Sequence, residues 1–166
     1  MLIKKKICIL GAFAVGKTSL VQRFVKSTFS EKYLTTIGVK IDQKTVETRS
    51  HNVKLAIWDI HGEDDFQEVR ASYLKGASGF FLVVDGTRKA TLDAAKKLEL
   101  LAKETIGAKP FVVLVNKSDL DSNWEFTAEM VKELRNKGWH IVKTSAKTGE
   151  NVEESFQYLA ERMVSQ

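Results

Sequence analysis

The stretch Ile7-Cys-Ile-Leu-Gly-Ala-Phe-Ala-Val-Gly-Lys-Thr-Ser-Leu-Val-Gln-Arg-Phe-Val25 decides the fold of this chain. An apolar run at 7–10 precedes the pattern G-x-x-x-x-G-K-S/T at 11–18, and a helix-like run at 19–25 follows it. In this context the glycines let backbone N–H groups curl around a polyphosphate, Lys17 reaches the outer phosphates, and the hydroxyl of Thr18 can bind Mg²⁺. The sequence therefore predicts a site for nucleotide phosphates.

The composition is typical of one cytoplasmic globular domain, 1–166. A chain of 166 residues buries enough surface to form a core without a disulfide or a structural metal. Its single cysteine, Cys8, lies inside an apolar run, so we expect a small buried core residue and a reducing compartment. The net charge of +5 is modest and the lysines are spread over helix-like segments, which does not favour a nucleic-acid surface.

The sequence predicts no direct membrane anchor. It contains no apolar stretch of about 18 residues, no secretory leader, and no cysteine near Ser165-Gln166 that could carry a prenyl group. The basic triplet Lys4-Lys5-Lys6 precedes a strand-like run, and we expect it at a solvated sheet edge rather than in a membrane patch. Any peripheral membrane contact would be made through partners or through a tail beyond this sequence.

Apolar patterning predicts a mixed sheet. The runs 79–85 and 110–116 are continuously apolar up to their last residues, which are the polar Asp85 and Asn116. Continuous apolar runs of this kind are typical of parallel strands buried on both faces. Apolar residues alternate in 39–41 and in 53–57, with a turn-like Ser50-His51-Asn52 between them, and therefore predict an antiparallel pair.

Helical spacing separates the strands. Apolar residues recur at helical intervals before Gly107, before Gly138 and at the end of the chain, where Asn151 and Glu154 form a cap-like start. Strands that alternate with helices predict a three-layer α/β fold, with ligands beyond the carboxyl ends of the strands.

A second motif bears on which base is bound. Asn116-Lys117-Ser118-Asp119 follows the apolar run, and an ionised Asp119 could accept two hydrogen bonds from N–H groups of guanine that adenine does not offer. This asymmetry favours GTP over ATP, although the same residues could instead form a helix cap or an ordinary loop. A second loop, Thr144-Ser145-Ala146-Lys147, follows the strand-like run 139–142 and could also contact a base.

Together these motifs resemble those of a Ras-superfamily small GTPase, most similar to the Rab-like branch, over essentially all of the chain. The further matches are Thr35-Thr36-Ile37-Gly38 in the first switch and Trp58-Asp59 with Gly62 in the second, in the family's order and spacing. The resemblance implies the P-loop NTPase fold of small GTPases, which is a mixed six-stranded sheet with one antiparallel edge strand, flanked by about five helices.

The resemblance also implies a role for each matching residue. The residues that would contact the phosphates are Ala14, Val15, Gly16, Lys17, Thr18 and Ser19. The residues that would line the base pocket are Asn116, Lys117, Asp119, Ser145, Ala146 and Lys147. Thr18 and Thr36 would coordinate Mg²⁺, and Asp59 would hold the ion through water.

Four further residues complete the implied site. Gly62, through its amide, and Glu63 would act with Lys17 at the terminal phosphate as catalytic residues. Phe29 would pack against guanine and Tyr33 would close over the phosphates, although each aromatic could equally be an anchor for its loop.

The chain departs from the family around the terminal phosphate. The family reads Trp-Asp-Thr-Ala-Gly-Gln-Glu where this chain reads Trp-Asp-Ile-His-Gly-Glu-Asp at 58–64, so Glu63 replaces the catalytic glutamine. An ionised glutamate cannot donate a hydrogen bond, which favours reduced or altered hydrolysis over the alternative of a stronger base. Phe13 would obstruct an arginine finger from an activator unless its ring turns outward or packs on a switch. His61 could donate a hydrogen bond to a phosphate oxygen, or it could have only a packing or surface role.

These features predict a small monomeric GTPase with Mg²⁺ as cofactor and GTP or GDP as ligand. We expect protein effectors and regulators to bind through 30–41 and 60–75, where the acidic residues at 63–65 and 68 suit either a basic partner or a solvated helix start. The alternative is a pseudo-GTPase, an interaction protein that binds GTP or GDP with little or no hydrolysis. An ATP-using P-loop kinase is disfavoured by Asp119.

Overall fold

Strand β1, Leu2–Gly11, runs through the interior of a six-stranded sheet. The computed structural model describes residues 2–26, 39–60 and 71–165. The other strands are β2 Val39–Glu47, β3 Asn52–Ile60, β4 Ala77–Asp85, β5 Phe111–Asn116 and β6 Ile141–Lys143. Their order is β2-β3-β1-β4-β5-β6, and only the β2–β3 pair is antiparallel. The mixed sheet with one antiparallel edge strand is thereby confirmed.

Helices cover both faces of this sheet. The described ranges contain four α-helices, close to the predicted five: α1 Lys17–Lys26, α2 Thr91–Ile106, α3 Ala128–Asn136 and α4 Val152–Val164. Two short 3₁₀ turns, Ala71–Leu74 and Asp121–Asn123, complete the described elements. No helix in these ranges is long and apolar enough to cross a membrane.

Alternation along β1 explains the three layers. Ile7 and Ile9 point into a core shared with α1 and α4, where Phe24 and Phe156 stack at 3.8 Å between ring centroids. Cys8 and Leu10 point into a second core on the opposite face, beneath α2 and α3. Cys8 is fully buried, as predicted, and burial raises the pKa of its thiol to about 12.

Glycine ends two helices where the sequence predicts it. Gly107, at φ 76°, closes α2 with its N–H donating to the carbonyl of Lys103 over 3.0 Å. Gly138, at φ 87°, likewise follows the end of α3. A positive φ is strained for residues other than glycine, which explains why a glycine stands at each of these two helix ends.

Three local predictions differ from the structure in detail. Lys4-Lys5-Lys6 lies where the sheet edge ends: Lys4 and Lys5 pair with β3 alone, as predicted for an edge, whereas Lys6 also pairs with Ala77 of β4. Asn151 precedes α4 but does not cap it with its side chain, because its backbone is left-handed at φ 56° and its Nδ2 donates to the carbonyl of Lys143 over 2.9 Å instead. The β2–β3 turn also lies one or two residues earlier than predicted, since Thr48 and His51 close it and Asn52 already begins β3.

Candidate functional site

The loop between β1 and α1 is shaped by two glycines that no other residue could replace without a collision. A Cβ at Gly11 would lie 2.5 Å from the carbonyl oxygen of Val83 on β4. Gly16 adopts φ 103°, and a Cβ there would collide with the side-chain amide of Asn116 on β5. The loop therefore lies directly against the carboxyl ends of β4 and β5, where a doubly wound sheet places its ligands.

Lys17 begins α1 underneath this loop. Its side chain is only 7% exposed, and its Nζ donates to the carbonyls of Gly11 and Ala12 over 3.3 and 3.4 Å. These distances are at the long end for hydrogen bonds, and both contacts place the ammonium group against the backbone of the loop. Ser19 follows in the first turn of α1 and is half-buried.

Thr18 and Asp59 form a pair at the end of β3 beside the loop. Thr18 Oγ1 donates to Asp59 Oδ2 over 2.5 Å, and Asp59 is 1% exposed. Its other oxygen, Oδ1, has no hydrogen-bond partner among the described residues. Burial raises the pKa of Asp59, and the Thr18 hydrogen bond and the charge of Lys17 only partly oppose it.

This pair fits a magnesium ion. A buried oxygen without a partner is costly, and a hard cation that prefers oxygen ligands would relieve that cost. The described part of the chain holds no group of three His, Cys, Asp or Glu residues that could bind a metal without help. Mg²⁺ is usually held by one or two protein oxygens together with phosphate oxygens, so a hydroxyl and a carboxylate beside a phosphate loop are a suitable donor set.

Asn116 joins the predicted base loop to the predicted phosphate loop. It is 3% exposed at the end of β5, and its Nδ2 donates to the carbonyl of Val15 over 3.0 Å. Its Oδ1 accepts from the backbone N–H of Ala146 and the hydroxyl of Thr144, both over 3.3 Å. One buried amide thus connects three loops.

Lys117 makes a second connection between the same loops. It is held at φ 73°, and its Nζ donates to the carbonyl of Ala14 over 3.0 Å. Ala14 is itself left-handed at φ 62°. The left-handed conformation costs free energy for non-glycine residues. Its presence at Ala14 and Lys117 indicates that the hydrogen bonds between the two loops hold their backbones in this shape.

The two base loops meet through their side chains. Ser145 donates to Asp119 Oδ1 over 2.7 Å, and Ser118 donates to Glu150 over 2.6 Å. Arg23 on α1 holds the second loop from below, donating to the carbonyl of Ala146 over 2.8 Å and to that of Lys147. The structure therefore brings together every predicted base-pocket residue.

Sequence reasoning missed Asp85, which lies at the centre of these contacts. It is 1% exposed at the end of β4 and forms an ion pair with Lys117 Nζ at 2.7 Å. Burial alone would raise the pKa of Asp85, but hydrogen bonds from Lys117, Thr87 and Arg88 outweigh it and lower the pKa, so the carboxylate stays charged. The available signal was a polar residue ending a continuously apolar strand.

Part of the predicted site lies outside the described residues. This part comprises Phe29, Tyr33, Thr36, His61, Gly62 and Glu63. Phe13 is described, and its side chain remains 40% exposed in a loop that is otherwise mostly covered.

Comparison with known proteins identifies the family. The sequence model of the Ras family matches residues 6–165. Ras-related protein Rab-12 of Homo sapiens is 34% identical over 161 residues, which are 95% of this chain and 66% of that protein, just under two thirds of its length. Ras-related protein Rab-13 of Canis lupus familiaris is 32% identical over 93% of this chain and 77% of its own length. Ras-related protein RABD2a of Arabidopsis thaliana is 33% identical, over 97% of this chain and 82% of its own length. The phosphate loop, the base loops and these similarities together show that the chain belongs to the Ras family of small GTPases and is Rab-like within it.

Proposed function

We propose that this protein is a Mg²⁺-dependent GTP/GDP switch that hydrolyses GTP slowly. The observation that carries the proposal is the direct joining of two kinds of loop. Asn116 and Lys117 bond to consecutive carbonyls of the loop at 11–18, and Asp119 lies beside Ser145. Such an arrangement suits one ligand that has both a guanine base and a polyphosphate.

The roles of the described residues follow from this ligand. The backbone of 14–16 would surround the phosphates, and Lys17 would exchange its two long carbonyl bonds for phosphate oxygens. Thr18 would be a direct magnesium ligand, and Asp59 would hold the ion through water. The ion would neutralise charge that develops on the phosphates during hydrolysis.

Slow hydrolysis is proposed because of Glu63. A glutamine can accept from the attacking water and also donate N–H, whereas an ionised glutamate only accepts and adds negative charge near the phosphates. Loss of one well-placed donor costs ~3 kcal/mol of transition-state stabilisation, or about a hundredfold in rate. Glutamate is a stronger base than glutamine, but this offsets little of the rate loss, because a loose transition state for phosphoryl transfer gains little from base catalysis.

Partners would bind through 30–41 and 60–75, and one described surface supports this. Ile41 on the edge strand β2 is 49% exposed, and it pairs directly with Trp58 on β3. Trp58 is half-buried and directly precedes Asp59, so an effector that contacts Ile41 would lie close to the proposed magnesium site. We place this activity in the cytoplasm, with any membrane contact peripheral.

A second candidate function is a pseudo-GTPase that binds nucleotide and partners but hardly hydrolyses GTP. The presence of Phe13 in the phosphate loop is the feature on which this candidate rests. In the family a small residue at this position leaves room for an activator's arginine, so a phenyl group would block external acceleration. Intrinsic turnover would then be the only route to GDP.

Single-turnover GTP hydrolysis separates the two candidates. We expect slow turnover in the wild type, about a hundredfold acceleration in Glu63→Gln, and little intrinsic change in Phe13→Gly. Glu133→Gln, the same substitution at an exposed position on α3, is the matched control. Wild-type protein that shows no turnover but still binds partners according to its nucleotide supports the pseudo-GTPase. Copurification of adenine nucleotide would overturn both candidates.

A further inference from the structure

Three consecutive carbonyls of the phosphate loop are bound from outside the loop. Arg88 Nη2, Lys117 Nζ and Asn116 Nδ2 donate, in that order, to the carbonyl oxygens of residues 13, 14 and 15, over 2.9, 3.0 and 3.0 Å. Asn116 and Lys117 belong to the base motif. Arg88 lies in the segment between β4 and α2 and belongs to none of the motifs identified in the sequence.

Peptide geometry gives these three bonds a common consequence. The described peptide bonds are trans, and in a trans peptide the carbonyl of one residue and the N–H of the next point in opposite directions. Donors that hold carbonyls 13–15 outward therefore turn the N–H groups of 14–16 toward the inside of the loop. Successive inward N–H groups form a concave anion site, so the outer donors maintain its shape.

Asp85 orients Arg88 for this contact. Its buried carboxylate accepts from Arg88 Nε over 3.0 Å, while Nη2 of the same guanidinium reaches the carbonyl of Phe13. Thr87 adds bonds to Asp85 of 2.8 Å from its backbone N–H and 2.6 Å from its hydroxyl. A guanidinium has two differently directed donors in a rigid plane and can bridge the two acceptors, which the single ammonium of lysine cannot do in the same geometry.

We propose that Arg88, oriented by Asp85, is a positioning residue for the phosphate loop: it holds the Phe13 carbonyl outward, keeps the Ala14 N–H directed at the outer phosphates, and slows release of GDP. The proposal rests on the guanine-nucleotide function proposed above. The Arg88 side chain is 46% exposed, so solvent weakens its contribution. We therefore expect an effect of about fivefold, well short of the loss of a buried charge pair.

The test uses Arg88→Gln, Arg88→Lys and the control Arg162→Gln, which removes an exposed arginine from α4. The measurements are the GDP release rate in Mg²⁺ and the affinities for GDP and GMP. We expect Arg88→Gln to release GDP about fivefold faster and to lose affinity for GDP but not for GMP, which lacks the outer phosphates. Arg88→Lys should restore less than half of the loss, and Arg162→Gln should match the wild type.

The remaining outcomes each overturn a defined statement. Equal losses for GDP and GMP indicate a general structural role and overturn the positioning role. Full rescue by Arg88→Lys shows that charge alone matters and overturns the bridging geometry. Wild-type release from Arg88→Gln overturns the inference while the nucleotide function stands. Wild-type protein that binds no guanine nucleotide overturns both.

Discussion

At the scale of single residues, the site depends on how closely backbone and side-chain atoms approach each other more than on charge. Gly16 and Asn116 occupy space that permits no additional carbon atom between them. Asn116 cannot move away, because it is 3% exposed and its side chain makes three hydrogen bonds to two other loops. The motif residues were visible in the sequence, but Asp85 and Arg88 were not, because an isolated polar residue after a strand carries no spacing signal that names its partner.

Gly16→Ala should weaken nucleotide binding. The substitution adds a left-handed strain of about 1 kcal/mol or more and displaces the Asn116 amide, so we expect at least a tenfold loss of GDP affinity by equilibrium titration. Gly76→Ala is the matched control, since Gly76 also has a positive φ, of 82°, but no atom lies within 4 Å of its Cβ position. It should lower thermal stability and leave GDP affinity unchanged. Equal affinity losses in the two variants would contradict the steric explanation.

At the scale of elements, strands and helices followed from apolar periodicity, whereas the side-chain caps at helix starts did not. The runs 79–85 and 110–116 were recognisable as interior strands because both faces are apolar. A cap depends on backbone dihedrals and on competing acceptors nearby. The side chain of Asn151 therefore makes no capping bond to α4. Thr127, whose role was not predicted, caps α3 by accepting from the N–H of Met130 over 3.1 Å.

Thr127→Ala should lower the free energy of unfolding by about 1 kcal/mol, because the first turn of α3 loses its side-chain acceptor. Asn151→Gly is the matched comparison at the other helix start. It loses an exposed bond to the Lys143 carbonyl but relieves left-handed backbone, so we expect a change close to zero. Urea unfolding of both variants measures the difference. A larger loss in Asn151→Gly would show that its bond to β6 matters more than its backbone.

At the scale of the whole molecule, the strand order brings the site together at the carboxyl ends of the parallel strands. The ends of β1, β3, β4 and β5 supply the phosphate loop, Asp59, Asp85 and Asn116. Because these strands are parallel neighbours, their carboxyl ends lie together, and residues far apart in sequence meet at one end of the sheet. Metal and nucleotide binding should therefore stabilise the fold as a unit.

Removal of Mg²⁺ from the GDP-bound protein should lower its melting temperature by about 5–10 °C, since ligand at a hundred times its dissociation constant contributes ~2.7 kcal/mol. Asp59→Asn should abolish most of this dependence, because a neutral amide attracts the cation much less than a carboxylate does. Asp121→Asn removes a carboxylate whose side chain is 76% exposed and should respond to chelation like the wild type. Thermal melting with and without a chelator measures all three. An unchanged response in Asp59→Asn would exclude that residue from the metal site.

The sequence by itself determined the order of strands and helices, the strand–loop–helix setting of the phosphate motif and the family. These depend on local periodicity and on residues adjacent in the chain. Only the tertiary structure decided which side chains hold the loop in shape. Its outer donors lie 75, 103 and 101 residues from the carbonyls they bind, so their contacts exist only once the sheet has placed β4 beside β1 and β5 beside β4. Hydrogen bonds act over about 3 Å, and sequence distance carries no information at that range.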